Sequence, residues 1–121
     1  MFYKLVKQFE SIIKEYKIKD YVKFGTAQKL IAEIKFIDDS VLYIKEYIFT
    51  DGRRKYAFHW QNKKGQMIIR WDNSPHHSYL KTFPHHKHLG GEIQESKEIY
   101  LPEIFNFIYK RISNLKNGAE T

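Results

Sequence analysis

Apolar residues recur every three or four positions in two segments of the chain, one near each end. This spacing is typical of one face of an amphipathic helix that packs against a core. It predicts a first helix over residues 2–16 and a second over residues 102–115, with Pro102 in its first turn and Asn117-Gly118 as its stop. Residues beyond that stop are expected to fray. The two apolar stripes are Phe2, Leu5, Val6, Phe9, Ile12, Ile13 and Tyr16, and then Leu101, Ile104, Phe105, Ile108, Ile112 and Leu115.

Between the two stripes the hydrophobic period changes to two, which indicates β-strands. Short turns between the strands indicate an antiparallel meander. Residues 17–29 are ambiguous and could add a short strand. The expected fold is therefore a single α+β domain over residues 1–121, in which both helices pack on one face of a curved antiparallel four- to five-stranded meander sheet. The four predicted strands span residues 30–37, 41–49, 54–62 and 66–72.

Opposed residues in a sheet share a face, so the turns can be chosen to make every strand agree on one apolar face. A three-residue loop that ends in Gly52 at positive φ satisfies this condition for the middle hairpin. With a three-residue loop at 38–40 and a two-residue loop at 63–64, the expected pairs are Ile34–Ile44, Phe36–Leu42, Glu33–Lys45, Tyr43–His59, Trp60–Met67, Phe58–Ile69 and Tyr56–Trp71. The core face then carries Leu30, Ile34, Phe36, Leu42, Ile44, Ile48, Phe58, Trp60, Met67, Ile69 and Trp71.

Histidine is concentrated in one segment after the predicted sheet. Five of the six histidines lie between His76 and His88, and a Pro-His-His motif begins at both Pro75 and Pro84. Proline fixes its own φ and disfavours helix in the residue before it, so a non-helical histidine-rich loop is predicted over residues 73–98. Imidazole titrates near physiological pH and is the commonest metal ligand, which indicates a catalytic or metal-binding loop. A loop that is only packed on the fold by ring stacking and hydrogen bonds is the alternative.

The histidine-rich motifs resemble a known family. The sequence RWDNSPHH at residues 70–77, followed by TFPHHKH at residues 82–88, is similar to the TumE-like toxins of type II toxin–antitoxin systems. The resemblance covers the chain from Leu30 to Ile108. It implies a small cytoplasmic toxin that is neutralised by a cognate antitoxin encoded beside it. In such pairs the antitoxin is often a helix-turn-helix DNA-binding protein.

The overall charge favours a polyanionic partner. The chain has 21 basic and 14 acidic residues and a formal net charge of +7, which suits RNA or an acidic protein. With no cysteine, a disulfide framework and a thiolate zinc site are excluded. The apolar runs are too short to span a bilayer, and no leader peptide is recognisable. These properties predict a cytoplasmic protein without a membrane partner.

The leading hypothesis is metal-independent RNA cleavage by a histidine acid–base pair. One histidine would take the proton from a ribose 2′-hydroxyl, another would protonate the leaving oxygen, and basic side chains would stabilise the charge on the phosphate. The two Pro-His-His motifs must then converge at the end of the fourth strand, although spacing does not determine which ring of each pair faces inward. The candidate catalytic residues are Asp72, His76, His77, His85, His86 and His88, and the candidate substrate-binding residues are Tyr43, Lys45, His59, Arg70, Lys81 and Lys87.

Two other hypotheses remain open. Metal-independent cleavage, the leading hypothesis, needs no cofactor. In the first alternative a divalent metal binds the same cluster, because His85 and His88 are three residues apart and Asp72, His76 and His77 could complete an N/O ligand set. Adjacent histidines in an extended chain point in opposite directions, so each pair is expected to supply one ligand. The chain could also be a non-catalytic module that binds RNA or protein, with its histidines locking the loop onto the sheet.

Overall fold

The computed structural model describes the backbone of residues 1–118 and the side chains of residues 1–114. Within that range the chain forms two α-helices and one seven-stranded antiparallel sheet, whose strands are neighbours in sequence order. The predicted α+β class is confirmed, but the predicted count of four to five strands is too low. The elements are α1 (Phe2–Gln8), a 3₁₀ turn (Glu10–Ile12), β1 (Ile13–Phe24), β2 (Ala27–Phe36), β3 (Val41–Ile48), β4 (Arg54–Gln61), β5 (Met67–Asp72), β6 (His86–Leu89), β7 (Glu92–Glu95) and α2 (Leu101–Gly118).

The first predicted helix is wrong beyond residue 8, because the chain passes there through the 3₁₀ turn and enters β1 at Ile13. This strand contains two bulges, one between Ile13 and Glu15 and one between Ile18 and Asp20. A bulge inserts an extra residue, so positions that face the same side fall three residues apart across it and imitate helical spacing. The β1 residues paired with the buried positions of β2 are Ile13, Tyr16, Ile18 and Tyr21.

The predicted loop over residues 73–98 is wrong in its second part, because β6 and β7 form a hairpin there. Gly90 and Gly91 both have positive φ, +58° and +80°, and Leu89 pairs with Glu92 across them. Two consecutive residues at positive φ make the tight turn that fits the twist of a hairpin, and glycine adopts it without steric cost. The polar composition of these two short strands concealed them in the sequence.

The middle hairpin has the register predicted for it. Tyr43 pairs with His59, and Gly52 closes the loop with a φ of +88°. His59 therefore lies on the sheet face opposite the core, as expected.

The two flanking hairpins are each displaced by two residues from their predicted register. Asp39 turns the first loop at a φ of +66°. In the second hairpin Gly65 closes a three-residue loop at +81°, which displaces the register by one residue, and a bulge between Trp60 and Gln61 adds the other. A displacement of two residues keeps side chains on their face. The predicted faces are therefore right although the partners are not, except at Met67, which the bulge pairs with Gln61 of the opposite face. The observed pairs are Ile34–Leu42, Glu33–Tyr43, Phe58–Trp71 and Trp60–Ile69, in place of Ile34–Ile44, Glu33–Lys45, Phe58–Ile69 and Trp60–Met67.

The core lies between the sheet and both helices. The rings of Phe9, just after α1, and Phe105 in α2 meet edge to face with centroids 5.6 Å apart. Phe107 of α2 packs edge-on against Trp60 and Trp71 of the sheet. Both helices therefore contribute to one buried cluster with the sheet.

Most of the predicted core positions are buried. Nine of the eleven on the sheet are buried, whereas Ile48 is half-buried and Met67, beside the displaced loop, is 39% exposed. In α2, which runs past the predicted end at residue 115, the buried residues are Leu101, Ile104, Phe105, Ile108 and Ile112. The side chain of Leu115 and the residues expected to fray lie outside the described part. Over residues 1–118, neither helix is long and apolar enough to span a bilayer.

A buried arginine joins the sheet to the segment that leads into α2. The Arg54 side chain is 8% exposed. Its Nε donates to Glu46 on β3 at 3.0 Å, and its Nη1 donates to Glu98 at 3.0 Å. The guanidinium carbon also lies 4.6 Å and 4.2 Å from the ring centroids of Tyr56 and Tyr100. We refer to these five side chains as the Arg54 cluster.

Candidate functional site

Strand β6 returns the second Pro-His-His motif to the end of β5. In the β5–β6 register, Arg70 pairs with His88 and Asp72 with His86. Opposed residues share a face, so these four side chains lie together on the sheet face that points away from the core. The convergence required by a histidine acid–base pair is therefore present at the predicted end of the sheet.

Three imidazole rings meet at this point, and we call them the histidine cluster: His77, His86 and His88. The ring centroids are 4.7 Å apart for His77 and His86, 5.0 Å for His86 and His88, and 6.1 Å for His77 and His88. The His86 side chain is 1% exposed and that of His88 is 27% exposed, while His77 is half-buried. Each Pro-His-His motif thus supplies one ring, and β6 supplies the third.

The Asp72 carboxylate is buried beside the histidine cluster and contacts most of its neighbours. Its Oδ1 accepts hydrogen bonds from the Ser74 amide at 3.1 Å and hydroxyl at 2.8 Å, and its Oδ2 accepts one from Arg70 Nε at 3.1 Å. The Nε2 atoms of His86 and His88 lie 2.9 Å from Oδ1 and 3.3 Å from Oδ2. One carboxylate therefore holds a guanidinium by a hydrogen bond and lies against two imidazoles.

The hydrogen bonding of His86 determines which of its nitrogens carries a proton. Its Nδ1 lies 3.0 Å from the carbonyl oxygen of Pro84, which can only accept, so Nδ1 must donate. Its buried Nε2 has no well-aligned hydrogen-bond partner among the described residues, and the short contact with Asp72 is therefore one of proximity. The carboxylate oxygen beside this nitrogen favours positive charge at that point.

Burial and neighbouring groups shift two pKa values in the site. Burial by itself raises the pKa of Asp72, but hydrogen bonds from Ser74, the charge of His86 and the hydrogen bond from Arg70 together lower it below its ordinary value. Burial lowers the pKa of His88 below 6.5, against the opposing effect of Asp72. At neutral pH the site therefore combines a carboxylate with an imidazole that favours its neutral, proton-accepting form.

His85 points away from the histidine cluster and holds the loop on the sheet. Its Nδ1 lies 2.8 Å from the Tyr56 hydroxyl, and the two rings stack with centroids 5.8 Å apart. The Thr82 hydroxyl donates to the His85 carbonyl at 2.7 Å. Burial lowers the pKa of His85 and raises that of Tyr56 to about 12. His85 therefore holds the loop on the sheet, as the non-catalytic hypothesis expected of the loop histidines in general. Its geometry gives no support to the catalytic role predicted for it.

Three other predicted site residues lie apart from the histidine cluster. His76 and Lys81 are exposed on the loop, and the His76 ring contacts none of the other histidines within the described residues. Lys87 lies between His86 and His88 on β6, and side chains alternate along a strand, so it belongs to the opposite face. These three residues do not join the site that the sequence predicted for them.

The remaining predicted substrate-binding residues continue the site across the sheet. Two cross-strand rows lead to the histidine cluster, one formed by Tyr43, His59, Arg70 and His88 and the other by Lys45, Ala57, Asp72 and His86. Cavities of about 160 Å³ and 320 Å³ open along these rows, and Lys45, Ala57 and Arg70 line both. We call this surface the polar groove.

Several residues of the site were not predicted from the sequence. Ser74 anchors Asp72, and its position two residues after an aspartate, before a proline, is a typical turn pattern that could have identified it. Lys55 and Tyr47 line the smaller cavity, and they alternate in phase with Ala57 and Lys45 on their strands. The role of the Pro84 carbonyl depends on the loop conformation, and no sequence pattern indicates it.

Comparison with known proteins identifies the family. No curated protein and no solved structure matches the chain. Among protein-family models, the one described as Toxin TumE matches residues 2–114. This match includes α1, β1 and most of α2, whereas the resemblance carried by the motifs covered only residues 30–108. The match spans nearly the whole described fold, and the chain therefore belongs to the TumE toxin family.

Proposed function

We propose that this toxin cleaves RNA in the cytoplasm without a metal ion, using His88 and His77 as its base and acid. The proposal is carried by the two partly exposed imidazoles of His77 and His88, whose ring centroids lie 6.1 Å apart beside the buried Asp72 carboxylate. Two rings at this separation can reach oxygen atoms of one phosphodiester through hydrogen bonds of about 2.6–3.2 Å. His86 is too deeply buried to touch a substrate and acts as a positioning residue.

Each proton has a place in this scheme. His88 faces the Asp72 carboxylate through Nε2, so Nε2 carries a proton and Nδ1 is free to accept one from a ribose 2′-hydroxyl. The 2′-oxygen attacks the phosphorus, and His77 protonates the 5′-oxygen as its bond to phosphorus breaks. The products are a 2′,3′-cyclic phosphate and a 5′-hydroxyl. General base and general acid catalysis each typically contribute about 10²–10⁴-fold in rate.

Arg70 is suited to stabilise the charge that develops on the phosphate. Its Nε is held by Asp72 at 3.1 Å, and its side chain remains 39% exposed, so the other guanidinium nitrogens can reach solvent or a bound anion. A fixed donor aimed at a developing oxyanion is worth about 10²–10³-fold in rate. The Asp72 carboxylate thus positions groups for both proton transfer and charge stabilisation.

The polar groove supports single-stranded RNA as the substrate. Lys45, Lys55 and Arg70 place positive charge along it, and Tyr43 and Tyr47 offer aromatic rings beside that charge. Basic grooves that carry aromatic side chains bind single strands through phosphate contacts and base stacking. The net charge of +7 acts in the same direction.

The purified, untagged protein is expected to cleave total cellular RNA in the presence of EDTA and to leave 2′,3′-cyclic phosphate ends. A metal-dependent hydrolysis would instead be abolished by the chelator and would leave a linear phosphate. End groups are read by resistance of the 3′-ends to phosphatase before, but not after, mild acid treatment. Linear ends, or cleavage that only added metal restores, would overturn the proposed chemistry.

The rate of cleavage is expected to fall at acidic pH with an inflection below 6.5. The base must be neutral to accept a proton, and burial lowers the pKa of His88 below that ordinary value. Activity is therefore retained above the lowered pKa and lost as the pH falls through it. The check is a pH profile of kcat/KM on a short RNA, with melting temperature followed at each pH. An inflection above 6.5 would contradict the assignment of His88 as base.

A non-catalytic toxin is the second candidate, and the contacts of His85 with Tyr56 favour it because they show loop histidines serving structure. Such a toxin would block RNA or a protein through the polar groove. Membership of a toxin family implies a partner antitoxin, and we infer that the partner is a helix-turn-helix DNA-binding protein. Expression without the antitoxin should arrest growth under either proposal. Arrest that persists in a stable His88→Ala variant would favour the non-catalytic toxin.

A further inference from the structure

We propose that the histidine cluster is also a binding site for a divalent transition-metal ion such as Zn²⁺, and that occupation of this site switches off RNA cleavage. The inhibitory part of this inference rests on the proposed function, while the site itself rests on geometry alone. Three features support the metal site: the spacing of the ring nitrogens, the tautomer of His86 and the adjacent carboxylate.

The ring nitrogens of the histidine cluster are close enough to share one ion. One nitrogen from each of His77, His86 and His88 lies within 4.8 Å of the other two. Around Zn²⁺ with bonds of about 2.0–2.1 Å, tetrahedral ligand atoms are about 3.4 Å apart. The nitrogens therefore have to approach one another by about 1.4 Å at most. His77 lies in the loop between β5 and β6, where a ring rotation can supply this movement.

His86 already has the form that metal-binding histidines adopt. Its Nδ1 donates to the Pro84 carbonyl at 3.0 Å, which is the outer-shell contact that commonly fixes the tautomer and orientation of a ligating imidazole. The Nε2 atom is then the one available to an ion. It is buried, points into the histidine cluster and has no aligned hydrogen-bond partner among residues 1–114.

The Asp72 carboxylate favours a cation at the same place. Its oxygens lie 2.9 Å and 3.3 Å from the Nε2 atoms of His86 and His88, which is near the spacing of two ligands on one metal ion. Asp72 therefore supplies a fourth ligand or a balancing charge.

Occupation by Zn²⁺ is incompatible with the proposed acid–base chemistry. A metal ion binds the lone pair of each imidazole, and these lone pairs are needed to accept and deliver protons. The chemical class of ligand follows from the donor set: imidazole nitrogens suit Zn²⁺, Co²⁺, Ni²⁺ and Cu²⁺, whereas Mg²⁺ and Ca²⁺ prefer oxygen. Mg²⁺ is therefore expected neither to bind this site nor to inhibit cleavage.

Binding is tested first with Co²⁺ and Zn²⁺ on the untagged protein. We expect one Co²⁺ per chain, with the intense visible absorption of tetrahedral coordination, and displacement of Co²⁺ by Zn²⁺. Loss of an outer-shell contact typically lowers metal affinity about 10–100-fold, so removal of a ligand in His77→Ala or His88→Ala should lower it at least about 100-fold. His76→Ala is the matched control, because this exposed neighbour lies outside the cluster and should leave affinity unchanged. Weak Co²⁺ binding, or equal binding by His77→Ala and the control, would overturn the metal site.

Inhibition is tested separately by adding Zn²⁺ to the cleavage reaction buffered with a weak chelator. We expect loss of cleavage at the Zn²⁺ concentrations that fill the site, and recovery with EDTA. Cleavage that persists with the site filled would overturn the inhibitory role alone. Stimulation by Zn²⁺ would overturn both that role and the metal-free mechanism. Metal binding by a protein that cleaves no RNA under any condition would confirm the site and overturn the proposed function.

Discussion

The substitution His88→Ala is expected to lower the rate of RNA cleavage by about 10²–10⁴-fold, the typical contribution of one general base. The side chain is 27% exposed and packs beside His86 and His77. Because it is not part of the hydrophobic core, its removal should change the melting temperature little. The measurements are single-turnover cleavage of a short RNA and thermal unfolding of the same preparation. Growth arrest on expression should disappear together with cleavage.

The matched control for this experiment is His76→Ala. It removes an imidazole from the same loop, but this ring is exposed and contacts no member of the histidine cluster, so cleavage and stability should both be unchanged. His86→Ala is expected to reduce cleavage and stability together, because loss of a ring that is 1% exposed leaves a cavity and removes the donor to the Pro84 carbonyl. Equal activity of His88→Ala and His76→Ala would remove His88 from the mechanism.

The substitution Arg54→Ala is expected to lower the free energy of unfolding by about 3–5 kcal/mol, the usual result of removing one partner from a buried ion pair. It leaves Glu46, whose side chain is 13% exposed, without its guanidinium partner. It also removes the cation that lies between the rings of Tyr56 and Tyr100. Urea unfolding followed by tryptophan fluorescence measures the loss. Arg54→Lys keeps the charge but not the planar guanidinium, so its free energy of unfolding should fall between those of the unsubstituted protein and Arg54→Ala.

The neighbouring Arg53 provides the control for the Arg54 cluster. Its side chain is 79% exposed and forms a surface ion pair with Asp51 at 2.7 Å. Surface pairs of this kind contribute about 0–1 kcal/mol, so Arg53→Ala should change stability by less than about 0.5 kcal/mol. A difference of less than about 1 kcal/mol between the Arg54→Ala and Arg53→Ala proteins would contradict the role assigned to the Arg54 cluster.

The hydrophobic pattern of this chain predicts the faces of its central strands but not their partners. The alternation of apolar and polar residues predicted the faces of β2 to β5, because a strand keeps its apolar side chains on one face whatever its exact partner. It did not determine the partners, since displacement by two residues preserves the faces. The loop backbone at Asp39 and Gly65, together with the bulge beside Trp60, selects the register. The first predicted helix extended wrongly into the start of β1 because the bulge between Ile13 and Glu15 places Ile13 and Tyr16 three residues apart on one face.

The site was predictable in its location and composition but not in its orientation. The two Pro-His-His motifs and the strand end at Asp72 indicated where the rings would gather. Which rings face inward depends on the pairing of β5 with β6, and β6 was concealed by its polar sequence. Once Asp72 is paired with His86, alternation places His88 with His86 and turns both His85 and Lys87 away.

The bulges of β1 also influence how copies of the chain behave at high concentration. This twelve-residue strand forms one edge of the sheet in the described structure, and a long open edge can pair with the edge of another molecule and start aggregation. A bulge interrupts the regular row of donors and acceptors that such pairing needs. Lysines add positive charge along the same edge at positions 14, 17, 19 and 23, although Lys14 and Lys19 are paired with Asp39 and Glu33. The bulges and the charged side chains of β1 are therefore expected to disfavour edge-to-edge association of the sheet.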